Sequence, residues 1–114
     1  VTLSTKKIIV IQFALSALLA GSAVAAEPIR VLFITGRNNH RWQLTTPSLK
    51  KTLEDSGRFK VDVTKKPAEI TAKSLSGYDV IFNGWTGFPK KTGHLWGLDT
   101  EKAIDDFVAG GKGM

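Results

Sequence analysis

The segment Ile29-Arg-Val-Leu-Phe-Ile-Thr35, closed by Gly36, constrains the fold more than any other stretch of the chain. At the two-residue period of a strand, Val31 and Phe33 point to one side and Leu32 and Ile34 to the other. A strand that is apolar on both sides must be covered on both sides. That situation is met in a parallel sheet with helices above and below. Two further runs read as strands. Phe59-Lys-Val-Asp-Val63 alternates as a shorter strand at an edge, and Tyr78-Asp-Val-Ile-Phe-Asn83 is again followed by a glycine, Gly84.

Between the first two runs, Thr45-Thr-Pro-Ser-Leu-Lys-Lys-Thr-Leu-Glu-Asp-Ser-Gly57 carries helix punctuation. Thr46 is placed to cap, Pro47 to occupy the first helical position and Gly57 to make the left-handed stop. Leu49 and Leu53 would form a narrow apolar stripe facing the sheet. Pro67 to Gly77 is polar apart from Ile70 and Leu75 and reads as a loop with one helical turn. A long loop from Trp85 to Leu98 precedes a second helix beginning at Thr100, with Ala103, Ile104, Phe107 and Val108 on one face and Gly110-Gly111 at its end. The order strand, helix, strand, strand, helix is that of an α/β doubly wound parallel sheet. Three strands and two helices leave a sheet edge unpaired and one face half covered. The expectation is therefore an N-terminal fragment of a larger domain, incomplete at the C-terminus, with Met114 opening a further strand.

Residues 1–26 read as a signal peptide, with residues 27–114 forming the domain part. Lys6 and Lys7 supply a positive start, Ile8 to Ala20 an apolar stretch, and Gly-Ser-Ala-Val-Ala-Ala26 a small-residue cleavage region after Ala25 or Ala26. The rival reading is an uncleaved anchor, against which stand the small residues and the abrupt polar start at Glu27-Pro28. The expected location is periplasmic or secreted, with membrane contact only through the signal segment before cleavage. The chain has no cysteine, which excludes disulfide scaffolds, thiolate nucleophiles and Cys-ligated zinc. Its formal charge of +6 includes two lysines of the leader; without them 14 basic residues face 10 acidic ones, a net +4. Those charges are spread as Arg37/Arg41, Lys50/Lys51, Lys65/Lys66 and Lys90/Lys91, not gathered into one stripe with interleaved aromatics, so no nucleic-acid partner is expected.

In open α/β sheets, ligands bind outside the carboxyl ends of the strands. Two loops fall there. Gly36-Arg-Asn-Asn-His-Arg-Trp42 packs two guanidinium groups, two amides, an imidazole and an indole into seven residues. Amides and guanidinium groups offer directional hydrogen bonds to a polyhydroxyl ligand, and an indole stacks on the apolar face of a sugar ring. The candidate ligand-binding residues are Gly36, Arg37, Asn38, Asn39 and Trp42, joined by Asn83 and Trp85 of the second loop. Trp42 packing over the helix and Trp85 plugging the loop base are the competing structural readings. His94 and Trp96 belong to a lid or to plain surface. His40 is the candidate general acid/base, imidazole being the side chain that titrates nearest neutrality. Two histidines far apart in sequence offer no metal-ligand spacing. The loop after the first strand carries neither a dinucleotide fingerprint nor a phosphate loop, so no metal and no cofactor are expected from this chain.

Val31-Leu-Phe-Ile-Thr-Gly36 followed by His40-Arg-Trp42, then Thr45-Thr-Pro-Ser-Leu-Lys50, Leu53 to Val63, Tyr78-Asp-Val80 and Phe107-Val-Ala-Gly-Gly111, resembles the ThuA-like (trehalose-utilisation) family. That family is a branch of the class I glutamine-amidotransferase-like fold. The G-x-x-x-H-x-W arrangement ahead of Thr-Thr-Pro-x-Leu is the specific part. The resemblance implies a flavodoxin-like sheet, a role in bacterial carbohydrate utilisation and a small-molecule sugar or sugar derivative as ligand. Lys112, in a Gly-Gly-x-Gly stretch that is often all glycine in relatives, is a mild departure. Whether the domain is an enzyme or a non-catalytic carbohydrate- or partner-binding module stays open, as does its oligomeric state.

Overall fold

The computed structural model describes residues 24–87 and 93–114. Residues 1–23 of the expected signal peptide, and Lys90 and Lys91 of the long loop, lie outside the described residues. Strand β1 (Ile29–Ile34) is followed by helix α1 (Trp42–Asp55), β2 (Phe59–Thr64), a 3-10 turn (Pro67–Glu69), the single-turn helix α2 (Ala72–Leu75), β3 (Val80–Asn83) and helix α3 (Leu98–Ala109). The strands form a parallel sheet in the order β2-β1-β3, with Val31 opposite both Val61 and Val80. Gly113 adds a parallel bridge to Val80 on the far side of β3, and its carbonyl accepts the Ile81 amide at 2.9 Å. The order β2-β1-β3 with a further parallel contact outside β3 is that of flavodoxin-like doubly wound sheets.

The two faces of β1 divide the core as the pattern of Ile29–Thr35 predicts. Leu32, Ile34 and Ile81 pack with Ile70, Leu75, Ala103 and Ile104, so α2 and α3 cover that face. Val31, Phe33 and Val61 pack on the other face with Leu53 of α1, and Phe33 stacks on Phe82 at 4.5 Å between ring centroids. Ile34 is wholly inaccessible to solvent. Ile70 and Leu75, the two apolar anchors of an otherwise polar connection, are both buried.

Helix α1 begins five residues earlier than its punctuation indicates. Its N-cap is Arg41, which makes no side-chain capping bond, and Pro47 lies inside the helix. Thr46 does not cap: it is buried, and its hydroxyl is 2.7 Å from that of Thr35, at the carboxyl end of β1. The Pro47 ring removes one amide from the ladder but leaves the turn before it intact, and burial of Thr46 against Thr35 anchors the helix ahead of the proline. Leu53 faces the core as expected, whereas Leu49 is 41% exposed at the border of the apolar stripe. On α3, Ala103 and Ile104 are buried and Phe107 packs against the core, but Val108 is 41% exposed. That helix starts at Leu98, and the Thr100 hydroxyl is turned inward to donate to the Ile70 carbonyl at 3.0 Å. Strand β3 is shorter than its apolar run because the residues before it turn aside. The Tyr78 hydroxyl donates to Asp62 at 2.8 Å, and the Asp79 carboxylate accepts the Arg30 amide at 2.9 Å and the Lys112 ammonium at 3.1 Å. The Arg30 amide, and then Lys112, hold the Asp79 carboxyl below the usual range, while burial and then Asp62 push the Tyr78 phenol up.

The outer edge of β2 is closed by side chains of α1. Glu54 accepts the Val61 amide at 3.1 Å, Lys50 donates to the Val61 carbonyl, and the two side chains meet at 2.6 Å. A strand edge that would otherwise rely on water is thereby satisfied from within the chain. The Lys50 hydrogen bond, followed by the Val61 amide, lowers the Glu54 pKa below its ordinary value of 4.5. A carboxyl whose pKa is depressed on folding stabilises the fold above its unfolded value, and that contribution is lost as pH falls through the depressed one. Urea unfolding followed from neutral pH to below pH ~4 should therefore show a shallower acid loss of stability in Glu54→Gln than in the unmodified protein. Thr46→Val, which leaves the Thr35 hydroxyl buried without its partner, should cost about 1–3 kcal/mol. The double variant Thr35→Val/Thr46→Val should cost less than the sum of the two single changes.

Candidate functional site

A parallel sheet of order β2-β1-β3 reverses direction at β1: the chain winds from β1 to β2 on one side, then crosses to β3 on the other. At such a switch point the loops leaving the two strands diverge and open a crevice at their carboxyl ends. A cleft of about 480 Å³ lies there, lined by Asn38, Asn39 and His40 from the loop after β1 and by Asn83, Gly84, Trp85 and Thr86 from the end of β3 onward.

The two loops are built by the same local device. Asn38 accepts the amide of His40 at 2.8 Å through Oδ1, and Asn83 accepts the amide of Trp85 at 2.9 Å in the same way. Each is an asparagine turn that reverses the backbone just past its strand. The loops are then laced together. The Asn38 amide nitrogen donates to the Gly84 carbonyl at 2.7 Å, the Gly84 amide to the Ile34 carbonyl at 2.8 Å, and the Thr86 amide to the Arg37 carbonyl at 2.8 Å. Gly84 has to be glycine for this approach: a β-carbon there would sit 2.6 Å from the Phe33 ring and 3.3 Å from the Ile34 carbonyl oxygen. Gly36, with φ +106°, makes the turn out of β1, and a β-carbon there would come within 3.0 Å of Lys65.

Trp85 is held from outside the cleft. The Arg37 guanidinium lies 5.4 Å from its ring centroid, and Trp96 meets it edge-on at 5.5 Å. Trp96 packs against the core below. Glu101, in the first turn of α3, accepts the Trp96 amide at 3.4 Å and pairs through its other oxygen with His94. The His94 contact is the main cause holding the Glu101 carboxyl below its usual range. The loop after β3 thus returns to support the indole that lines the cleft.

Of the residues singled out in the sequence, Asn38, Asn39, His40, Asn83 and Trp85 come together around the cleft. Arg37 is not in the lining; its guanidinium lies over the Trp85 ring. Gly36 and Trp42 are not in the lining; Gly36 shapes the turn, and the Trp42 indole lies under the Lys65 ammonium at 5.7 Å. Gly84 and Thr86 line the cleft and were not anticipated, although a glycine immediately after a buried strand was the available signal for Gly84. The His40 imidazole makes no hydrogen bond with a described residue; the backbone amide donates to Asn38 and the carbonyl accepts the Trp42 amide at 2.9 Å.

No family model matches the chain, and no curated protein matches it. Among solved structures it is similar to a protein provisionally designated ThuA-like from Parabacteroides merdae ATCC 43184, with 32% sequence identity over 75% of this chain and a TM-score of 0.59. The chain has a ThuA-like fold. It spans 30% of the length of that neighbour. The ThuA-like fold is flavodoxin-like here, with the three-stranded parallel sheet and its switch point at β1 and β3.

The lacing of the two loops can be tested by an isosteric change. Asn38→Asp keeps the acceptor for the His40 amide but sets a carboxylate oxygen against the Gly84 carbonyl. It should destabilise the protein by about 1–3 kcal/mol and alter tryptophan fluorescence as the Trp85 loop moves. Unchanged stability and emission would show that the bridge carries no weight.

Proposed function

We propose that this chain is part of a ThuA-like domain that binds a sugar or sugar derivative in the cleft between the loops after β1 and β3. The observation that carries this reading is the composition of the cleft at the switch point. The indole of Trp85 stands beside the amides of Asn39 and Asn83 and the imidazole of His40. An aromatic face for the C–H side of a pyranose and flanking amides for its hydroxyls are the two elements that sugar recognition needs. The His40-Arg-Trp42 motif ahead of Thr45-Thr-Pro47, together with the likeness to the provisionally designated ThuA-like protein, supports family membership and a role in bacterial carbohydrate utilisation of the trehalose or disaccharide type.

Export belongs to the same proposal. The Lys6-Lys7 start, the apolar stretch and the small residues up to Ala26 support secretion or a periplasmic location. Mass spectrometry of the protein from its host should find a mature N-terminus at Ala26 or Glu27; an intact leader would overturn this part.

Two readings of the cleft remain distinct. In the catalytic one, His40 exchanges a proton with the ligand. The lack of any described residue orienting its imidazole favours the second, a non-catalytic binding module. Titration calorimetry of the full-length protein against a panel of mono- and disaccharides should show saturable binding to at least one of them. Trp85→Ala should weaken that binding about tenfold. If no sugar binds, the reading falls. If His40→Ala preserves binding but abolishes turnover of the bound sugar, the site is catalytic; if no turnover is found in either protein, it is a binding module.

A further inference from the structure

We infer that Glu101 is a positioning residue for the cleft: it fastens the strap Gly93–Gly97, so that Trp96 holds the Trp85 indole in the cleft wall. The inference rests on the sugar reading for the identity of the ligand, but not for the fastening itself.

The strap has a glycine pivot at each end. Gly93 and Gly97 take φ +87° and +92°, in the left-handed region, and a β-carbon at either would meet no atom within 4 Å. The glycines are there for their backbone freedom and not to make room for a neighbour. Among the described residues, no backbone group of His94, Leu95 or Trp96 bonds to another backbone group. One side chain supplies the tie. Glu101 accepts the Trp96 amide at 3.4 Å through one carboxylate oxygen and pairs with the His94 Nδ1 through the other. Its carboxyl is held below the usual range by His94 first, and then by the Trp96 and Leu95 amides, against the opposing effect of burial. All three residues between the glycines converge on one carboxylate.

The anchor of that carboxylate is firm. Glu101 lies in the first turn of α3, where the helix N-terminus favours a negative charge. The Thr100 hydroxyl, donating to the Ile70 carbonyl, and the buried Ala103 and Ile104 seat the helix on the sheet.

The strap carries Trp96 to Trp85. The two rings meet at 5.5 Å between centroids with their planes at 69°. Leu95 beside them packs so closely over Gly87 that a β-carbon on Gly87 would run into it. The Trp96 indole nitrogen is buried with no hydrogen-bond partner among the described residues. An unpaired buried donor opposes burial, so the indole's own polar group does not secure its seat. Packing on the core and the tie to Glu101 do. Trp85 keeps the Arg37 guanidinium and its asparagine turn as further supports, so loss of the tie should displace its ring without releasing the loop.

The test uses the full-length protein, with titration calorimetry against glucose and trehalose, circular dichroism of the coupled Trp85–Trp96 pair, and urea unfolding for global stability. Trp96→Phe, which keeps a ring beside Trp85 but removes one chromophore, marks the spectrum of an uncoupled pair. Glu101→Ala should move the spectrum toward that reference and weaken sugar binding by about three- to fivefold, part of the effect of removing the Trp85 ring. Glu101→Asp keeps the charge at the start of α3 but falls one methylene short, and should behave like Glu101→Ala. Glu101→Gln keeps an acceptor for the Trp96 amide at full reach and should restore part of both signals. A residue that merely stabilises the helix would give the reverse order, with Asp rescuing and Gln not, and that order would overturn the inference. His94→Ala, at an exposed position, removes one of the ties and should move both signals the same way by less. Unchanged spectrum and affinity in His94→Ala and Glu101→Asp would also overturn it, even if Glu101→Ala fails to fold. A changed spectrum with unchanged sugar affinity would overturn the role in the cleft and leave the sugar reading intact. If neither sugar binds the unmodified protein, the sugar reading loses its support and the spectra decide the fastening: coupling retained in Glu101→Asp overturns it, coupling lost upholds it.

Discussion

Strand β1 lies between β2 and β3, with one hydrophobic layer above it and another below. Everything else in the described structure is arranged around that double burial. Because both neighbours run parallel to β1, neither can be reached by a tight hairpin, and each connection must cross a face of the sheet. One crossing deposits α1 over Val31 and Phe33. The other deposits α2 on the side of Leu32 and Ile34, where α3 joins it. The same geometry forces the loops after β1 and β3 to leave adjacent strand ends on diverging paths. The cleft follows from how β1 is buried, and the loop residues give it its chemistry.

Where the chain's own pattern decided a feature, it could be read directly. The two-sided apolar run of β1, the isolated anchors Ile70 and Leu75, and the left-handed turn at Gly57 each follow from local chemistry that nothing distant overrides. The start of α1 was misleading for a physical reason. Thr46-Pro47 carries a helix-start signature, but the Thr46 hydroxyl meets Thr35, eleven positions away in sequence, and no local rule encodes that contact. Leu49 illustrates the converse: its spacing from Leu53 is right for a buried stripe, yet the stripe is rotated toward Trp42, Thr46 and Lys50. The pairing of Lys50 and Glu54 looks like an ordinary helical ion pair in sequence, and only the placement of β2 reveals its contact with the Val61 backbone.

The site shows the same division. Position at the strand ends could be inferred from the order of elements, and this brought Asn38, Asn39, His40, Asn83 and Trp85 together correctly as neighbours. Choosing between the two tryptophans could not be done from sequence. Trp42 and Trp85 are each one short loop from a strand, and which one lines the cleft depends on how the helix following β1 is turned. Trp85 wins because Trp96, Arg37 and the asparagine turn at Asn83 pin it from three directions. The asparagines that look like ligand-binding groups in the sequence are partly scaffold. Asn38 spends its amide on joining the loops.

The side chains that close β2 have a consequence beyond stability. A parallel sheet exposes, at its outermost strand, backbone groups able to recruit a strand from another molecule. With the Val61 amide and carbonyl already bound to Glu54 and Lys50, an incoming strand would have to break an ion pair and two hydrogen bonds midway along β2 before it could zip on. The helix that covers the core thus also works as a guard against self-association, making intermolecular β-pairing along that border costlier than along an open edge.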